Sequence, residues 1–322
     1  MQQARSTDRS PDKRRRITAA LVFMLISALL CGCASREGGS QPTQYSAADR
    51  EGSAVGFASP PERVVVLQAS LADLWLTAGG SVVGVTEDTP EHCPDTAGVQ
   101  LVGTTKHPSL ETIIALEPEL VIYSPDIAGQ SETALALTQI QIPVFGAKVD
   151  SFDDYLYYLE QFTNLTGETL RYQTFGVEVD REIESIIDAV PKEQEPSVLF
   201  LRAYSSGVKA KAREHVVCDI LNDLGALNIA DAHSSLLEEL SMEVIVSEDP
   251  QDILIVFMGE SNQETREMLE STLFSQPAWQ ELTAVKEGRV FYLPQELFHY
   301  KPNARWAQAY QYIYDILYDT LE

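Results

Sequence analysis

Runs in which nearly every position is apolar, rich in β-branched residues, recur along the chain at 63–67, 82–85, 120–123 and 143–145, and again at 197–201, 253–257 and 290–292. An amphipathic strand alternates apolar with polar; a strand apolar throughout is buried on both faces, as in parallel sheets covered by helices. The runs are separated by helical patterns, which predicts an α/β fold with one parallel-type sheet, flanked by helices, for each group. Between the groups, 151–191 carries no strand signal, and its helical pattern is interrupted once, at Thr166-Gly167. Past that break Phe175, Val179, Ile183, Ile186 and Val190 fall at three- and four-residue steps. They form one apolar stripe on a helix of about 23 residues, roughly 34 Å long. A single long helix of this kind can join two lobes, which divides the chain into an N-terminal lobe (59–150), an interlobe helical segment (151–191) and a C-terminal lobe (192–322).

The segment before residue 59 reads differently. Lys13, Arg14, Arg15 and Arg16 precede an uncharged stretch from Ile17 to Leu30. That stretch is too short for a comfortable bilayer span and suits the core of a signal peptide covering 1–32. Leu30-Cys31-Gly32-Cys33 resembles the bacterial lipoprotein signal, which implies that Cys33 is lipidated and becomes the mature N-terminus; the alternative is an ordinary secretory peptide with a coincidental Cys. Residues 34–58, rich in Ser, Gly, Gln and Ala, extend from Cys33 as a flexible tether.

Charge narrows the partners. The chain has 48 acidic and 23 basic side chains, a net charge of −25, and no basic block beyond the N-terminus, which excludes phosphate-tracking contact with nucleic acid. Removing 1–32 leaves 17 basic against 46 acidic groups, a polyanion that anionic lipid repels, so the lipid anchor holds it at the membrane. Cys93 and Cys218 then remain, one bridge at most and far from a disulfide scaffold. Cys218, flanked by Val216, Val217, Ile220 and Leu221, reads as a buried apolar position.

One motif occurs once per strand group. Ser109-Leu110-Glu111-Thr112-Ile113 runs through Pro118 into the strand at 120, and Ser241-Met242-Glu243-Val244-Ile245 runs through Pro250 into the strand at 253. Each reads as a short helix with a hydroxyl cap and a first-turn Glu, then a Pro-terminated turn into a buried strand. From spacing alone the glutamates either complement a helix dipole or mark equivalent positions where a partner grips both lobes.

These units, the signal peptide, the long helix and the tail from Gln276-Pro277-Ala278-Trp279 through Gly288-Arg289-Val290 to Phe298-His299-Tyr300 together resemble the substrate-binding proteins of iron-siderophore, haem and cobalamin ABC transporters, over roughly residues 60–320. The resemblance implies a periplasmic binding fold of two lobes on one stiff helix, with ligand in the cleft and little hinge motion. It also implies a membrane permease as partner, gripped through salt bridges to Glu111 and Glu243. The protein would be a monomer, exported and anchored at the outer face of the cytoplasmic membrane or in the periplasm.

In open α/β sheets, ligands lie beyond the C-terminal ends of strands. Those segments are basic: Lys106 and His107 after the strand near Leu101; Arg202, Tyr204, Lys209, Lys211 and Arg213 after 197–201; His299, Tyr300, Lys301 and Arg305 after 290–292. A concave wall of one sign focuses a positive field suited to an anion. A ferric siderophore with catecholate or carboxylate oxygens fits, with Tyr123, Tyr204 or Tyr300 packing on its apolar parts. Blander readings stand beside this one: Arg305 and Trp306 capping the last helix, Lys209, Lys211 and Arg213 forming a solvated turn, His107 shaping the turn before Pro108. His299 and Tyr300 are alternatively direct ligands to iron or haem. His92-Cys93 has no second His/Cys pair nearby, and no resident metal or cofactor is expected. An exported hydrolase or lyase is the alternative of another class; Gly-x-Ser-x-Gly, His-Glu-x-x-His and phosphate-loop motifs are all missing from the sequence.

Overall fold

A computed structural model of the chain describes residues 44–213, 215–258 and 262–318. The signal peptide and Cys33 lie outside the described residues. The strands are β1 (Tyr45–Ala48), β2 (Ala54–Phe57), β3 (Val64–Val66), β4 (Gly84–Val85), β5 (Gln100–Leu101), β6 (Leu120–Tyr123), β7 (Val144–Gly146), β8 (Ser197–Tyr204), β9 (Gly207–Ala210), β10 (Leu227–Asn228), β11 (Asp252–Phe257) and β12 (Val290–Leu293). The N-terminal sheet is parallel throughout, in the order β5-β4-β3-β6-β7, and the C-terminal sheet runs β10-β8-β11-β12 in parallel, with β9 folded back antiparallel on β8. The expected two-lobed α/β architecture is therefore present.

Alternation along the strands explains how the lobes are held. Val64, Val66, Leu120 and Ile122 from the first sheet share one apolar core with Val198, Phe200, Leu254 and Val256 from the second. Val65, Leu67 and Val121 face a separate N-terminal core, and Leu199, Leu201, Ile253 and Ile255 a separate C-terminal one. Each sheet thus turns one face outward to its own helices and the other inward to a common interior. The common core is filled by Trp75, Tyr155, Phe162, Ile183, Trp306 and Tyr310, among others.

The interlobe segment breaks where the sequence pattern predicts it. Helix Phe152–Thr166 opens on a Ser151–Asp154 capping box and stops at Gly167, whose φ of 78° is left-handed, a conformation open to Gly at little cost. The joining helix then runs through Leu170–Tyr172, a π turn at Gln173–Val177 and Glu178–Asp188, shorter than the stripe suggested, with Val179 and Ile183 buried. It does not act alone. Helix Trp306–Leu317 returns to pack on it, and both belong to the shared core.

One expectation is corrected. Residues 45–57, placed in the flexible tether, form the β1–β2 hairpin. Ala47 enters the shared core, Gln161 Oε1 accepts from the Ala48 amide at 3.0 Å, the Tyr157 hydroxyl donates to the Ala48 carbonyl at 2.9 Å, and Arg50 pairs with Asp154 at 3.1 Å. The hairpin is stabilised by a helix more than 100 residues away, a partner that local composition does not reveal.

Candidate functional site

The site begins on the β8–β9 ribbon. Along β8, Val198 and Phe200 face the shared core, so Arg202 and Tyr204 continue that face beyond the end of the packed strand. Lys209 stands directly opposite Arg202 in the antiparallel register. Like charges directly opposite destabilise a ribbon, and no described acid pairs with either. The Arg202 Nε is buried without a hydrogen-bond partner, and the guanidinium lies 5.5 Å from the Tyr204 ring centroid. These side chains, with Lys211, Arg213 and Asp231, line a recess of about 580 Å³. Four of the expected ligand-binding residues, Arg202, Tyr204, Lys209 and Lys211, are thus brought together.

The second wall is the segment after β12. Tyr300 stacks on His92, which follows β4 in the opposite lobe, with ring centroids 3.5 Å apart, and meets the His299 ring in a tilted contact at 4.4 Å. Lys301 adopts a φ of 74° and reaches Asp150, just past β7, at 3.0 Å; the other Asp150 oxygen holds Lys148 at 3.0 Å. Asn303, buried with a φ of 47°, donates to the Ser70 carbonyl at 2.8 Å and to Asp73 at 2.7 Å. Residues 299–303 therefore strap the C-terminal lobe to the segments that follow the N-terminal strands.

Electrostatics tie the two walls together. Burial, reinforced by Arg202, His92 and Lys301, pushes the His299 imidazole down to about 4, so it is neutral at pH 7, with a buried Nδ1 that has no partner. Buried His215 is pushed well below its usual range by desolvation and then by Lys301, Arg202 and Lys211; its Nδ1 accepts from the Val217 amide at 3.2 Å. Burial raises the Asp150 carboxyl, but Lys301 and Lys148 outweigh it and hold the group below the usual carboxylate range. Lys301 of one lobe is thus paired with an ionised carboxylate on the other.

Other expected residues lie elsewhere. Tyr123 lines a neighbouring recess of about 660 Å³ with Asp126, Lys148 and Asp150. Lys106 and His107 are exposed on the loop after β5, with no described contact to the cationic cluster. The Arg305 guanidinium donates to the Glu296 carbonyl at 2.9 Å, in the preceding short helix and on an exposed face, and Trp306 is fully buried in the shared core. Cys93 and Cys218 are buried and free, and burial pushes their thiols up to about 11 and 12. No group of three His, Cys, Asp or Glu among the described residues is placed to hold a metal ion.

Sequence reasoning weighed His92 only as a metal ligand beside Cys93 and set it aside, and it missed Lys148, Asp150 and Gln130. Lys148 and Asp150 follow β7 as the other residues follow their strands, so the strand-end rule points to them too. Gln130 carried no such signal. Fully buried, it accepts from the Ser124 amide at 2.8 Å and donates to the carbonyls of Leu67 at 2.7 Å and Thr105 at 3.0 Å, joining the ends of β3 and β6 to the loop after β5. Neighbouring Gly129 lets that loop close in, because a Cβ there would lie 2.0 Å from the Lys106 carbonyl oxygen.

On a different surface, Glu111 and Glu243 occupy matching places. Each is exposed in the first turn of its helix, Leu110–Ala115 or Met242–Glu248, behind a capping serine that accepts from the amide three residues on. The two helices lead into β6 and β11, which pair with β3 and β8, the first parallel strand of each lobe.

Comparisons with known proteins agree with this architecture. The chain is 23% identical over 285 residues to the Fe(3+)-citrate-binding protein YfmC of Bacillus subtilis (strain 168), covering 84% of this chain and 86% of that one. It is 22% identical over 311 residues to the putative ABC transporter substrate-binding lipoprotein YhfQ of the same organism, covering 90% and 94%. Among solved structures, it superposes with a TM-score of 0.70 on the iron uptake ABC transporter substrate-binding protein PiuA from Streptococcus pneumoniae Canada MDR_19A, at 20% identity, covering 88% of this chain and 100% of that one. The periplasmic heme-binding protein RhuT from Roseiflexus sp. RS-1, in apo form, gives a TM-score of 0.66 at 23% identity, covering 81% and 99%. Residues 64–297 match the family described as periplasmic binding protein, and that span takes in both sheets, the joining helix and the cationic wall; the chain belongs to this family and is a solute-binding protein, not an enzyme.

Proposed function

We propose that this protein is the lipid-anchored receptor of an ABC importer, and that it captures an anionic ferric chelate between its lobes and delivers it intact to the permease. The observation that carries the reading is the unpaired Arg202–Lys209 cross-strand pair beside Tyr204. A chain of −25 that keeps opposed cations without a described acid has a place for a ligand's anionic oxygens. Arg202 and Lys209 meet carboxylate or catecholate oxygens, Tyr204 packs on the chelator, and His299 offers its free Nδ1. The names of YfmC and of the Fe(3+) dicitrate-binding periplasmic protein FecB of Escherichia coli (strain K12) favour a citrate-type chelate. Glu111 and Glu243 dock the permease, and Cys33 carries the lipid, a reading that the lipoprotein relative supports.

A second reading, haem, has one observation in its favour: His299, Tyr300 and His92 bring imidazole and phenol side by side, and both groups bind iron. Fluorescence quenching of the protein lacking residues 1–33 decides between them, using ferric citrate, a ferric catecholate, a ferric hydroxamate, haem and cobalamin, with inner-filter controls. Saturable binding of an anionic ferric complex, weakened by Arg202→Glu, is the expected result. Selective haem or cobalamin binding keeps the importer and removes the charge argument; silence across the panel refutes the chelate reading.

A further inference from the structure

The internal repeat extends beyond the glutamates. Across 109–118 and 241–250 the burial class agrees at nine of ten positions, the exception being Leu116 against Glu248. Both copies open on an extended serine, bury an Ile at the fifth position (Ile113, Ile245), and end on a residue of positive φ before the proline, 46° at Glu117 and 41° at Asp249. At the sixth position both leave a β-branched aliphatic side chain in water: Ile114 is 39% exposed and Val246 41%. Each follows its glutamate by three residues and so lies on the same helix face, one turn on. A single exposed aliphatic residue is ordinary. The same acid and aliphatic pair, repeated on both lobes in the same backbone geometry, is a surface of two matched halves.

Both halves are rigidly held, and by different chemistry. In the first, the Arg63 guanidinium donates to the carbonyls of Leu116 and Glu117; in the second, Asp249 accepts from the Thr283 amide at 2.8 Å and hydroxyl at 2.6 Å. A surface fixed in this way loses little entropy on docking.

We propose that Ile114 and Val246 are the apolar half of the permease-docking surface, each seating in an apolar socket beside the cation that meets Glu111 or Glu243, on two equivalent halves of the membrane partner. The inference rests on the docking reading above. Charge complementarity identifies the partner's cation, and the aliphatic neighbour adds buried apolar contact beside the ion pair, a contribution that salt does not screen. The division of labour follows: the glutamates steer encounter, and the aliphatics slow dissociation.

The test uses the full-length chain and its permease with the associated ATPase, isolated through their complex with the wild-type chain, held in lipid nanodiscs and bound at low and at moderate salt. Ile114→Ala and Val246→Ala are each expected to weaken binding about tenfold, by the same factor at both salt concentrations and mainly in the dissociation rate. Ile114→Thr and Val246→Thr, which keep the branched shape, are expected to weaken it similarly. Glu111→Gln and Glu243→Gln instead lose most at low salt. Thermal midpoints and ferric-chelate affinity stay at wild-type values in the aliphatic variants. Wild-type permease binding by those variants, with loss in the Gln variants, overturns this inference alone; wild-type binding by all of them overturns the docking reading as well.

Discussion

Replacing Arg202 with Met is expected to change affinity and stability in opposite directions. In the ligand-free protein its Nε is buried without a partner, Lys209 stands opposite, and the described compensation is the Tyr204 ring. Leaving a buried donor unmade costs about 1–3 kcal/mol, and a like-charge cross-strand pair costs roughly 0.5 kcal/mol more. Losing the cation–π contact forfeits about 0.5–1 kcal/mol. Met keeps most of the apolar stem, so the net gain is about 1 kcal/mol, or an increase in Tm of roughly 2–4 °C. A charge-assisted hydrogen bond to the ligand contributes about 1.5–3 kcal/mol, so the same substitution weakens an anionic ferric chelate by about 10- to 150-fold. Thermal unfolding of the ligand-free variant and a fluorescence titration measure the two quantities separately. A ligand-free variant that melts below wild type refutes the reasoning, because Arg202 would then be holding the fold together rather than being held ready for a ligand.

Gln130→Leu leaves the Ser124 amide and two carbonyls without their partner in a fully buried place; denaturant unfolding is expected to show a loss of about 3 kcal/mol. Lys301→Met removes a counter-charge from Asp150, so burial gains weight over Lys148 and the carboxyl rises. In the wild type this depressed carboxyl stabilises the fold above its unfolded value near 3.8 and loses that contribution as pH falls through its folded value. Acid unfolding of the variant is therefore expected to begin at a higher pH, and a superimposable acid limb counts against the strap. His299 has the opposite sign. With a folded value of about 4 against 6.5 unfolded, the unfolded chain binds more protons between those values, so stability falls as pH drops from 6.5 towards 4, by roughly 3 kcal/mol at most. His299→Gln is expected to flatten that limb, with His215 supplying the slope that remains.

What the sequence made legible follows from which interactions are local. β8 and β11 were plain because both faces are buried and every position says so; the capped Glu111 and Glu243 helices were plain because serine, acid and proline act within ten residues. β4, β5 and β10 span two residues each, too short for any periodicity, and the β1–β2 hairpin depends on a distant helix. In the site, residue types at strand ends singled out Arg202, Tyr204 and Lys209, which the fold gathers on one ribbon, and Tyr300 and Lys301, which it places in the strap. Their partners did not show, because His92, Lys148 and Asp150 come from other loops, and positive φ at Lys301 and Asn303 turns the strap in a direction that no pattern encodes. Arg305, one turn further on, looked equivalent to Lys301 in the sequence, but its guanidinium goes to the Glu296 carbonyl of the preceding helix.

The shared core bears on how the site can respond to a ligand. Because Val66 and Ile122 of one sheet and Phe200 and Val256 of the other line one interior with Trp306 and Tyr310, a large rotation between lobes would expose fully buried aromatic and aliphatic surface. At about 25 cal/mol per Å² of apolar area, opening even a few hundred Å² costs several kcal/mol, comparable to the whole binding energy of a micromolar ligand. The contacts across the cleft among the described residues are of another kind: a ring stack, an ion pair and the Asn303 hydrogen bonds, individually worth about 1 kcal/mol. A ligand anion can therefore exchange with Asp150 for Lys301, or slide Tyr300 off His92, without disturbing the core. Capture becomes a rearrangement of the strap within a fixed frame, and the spacing between Glu111 and Glu243 stays the same whether or not the cleft is filled. On the docking reading proposed above, a permease that grips Glu111 and Glu243 would meet the same spacing in either state and would sense loading through the strap and the cleft mouth.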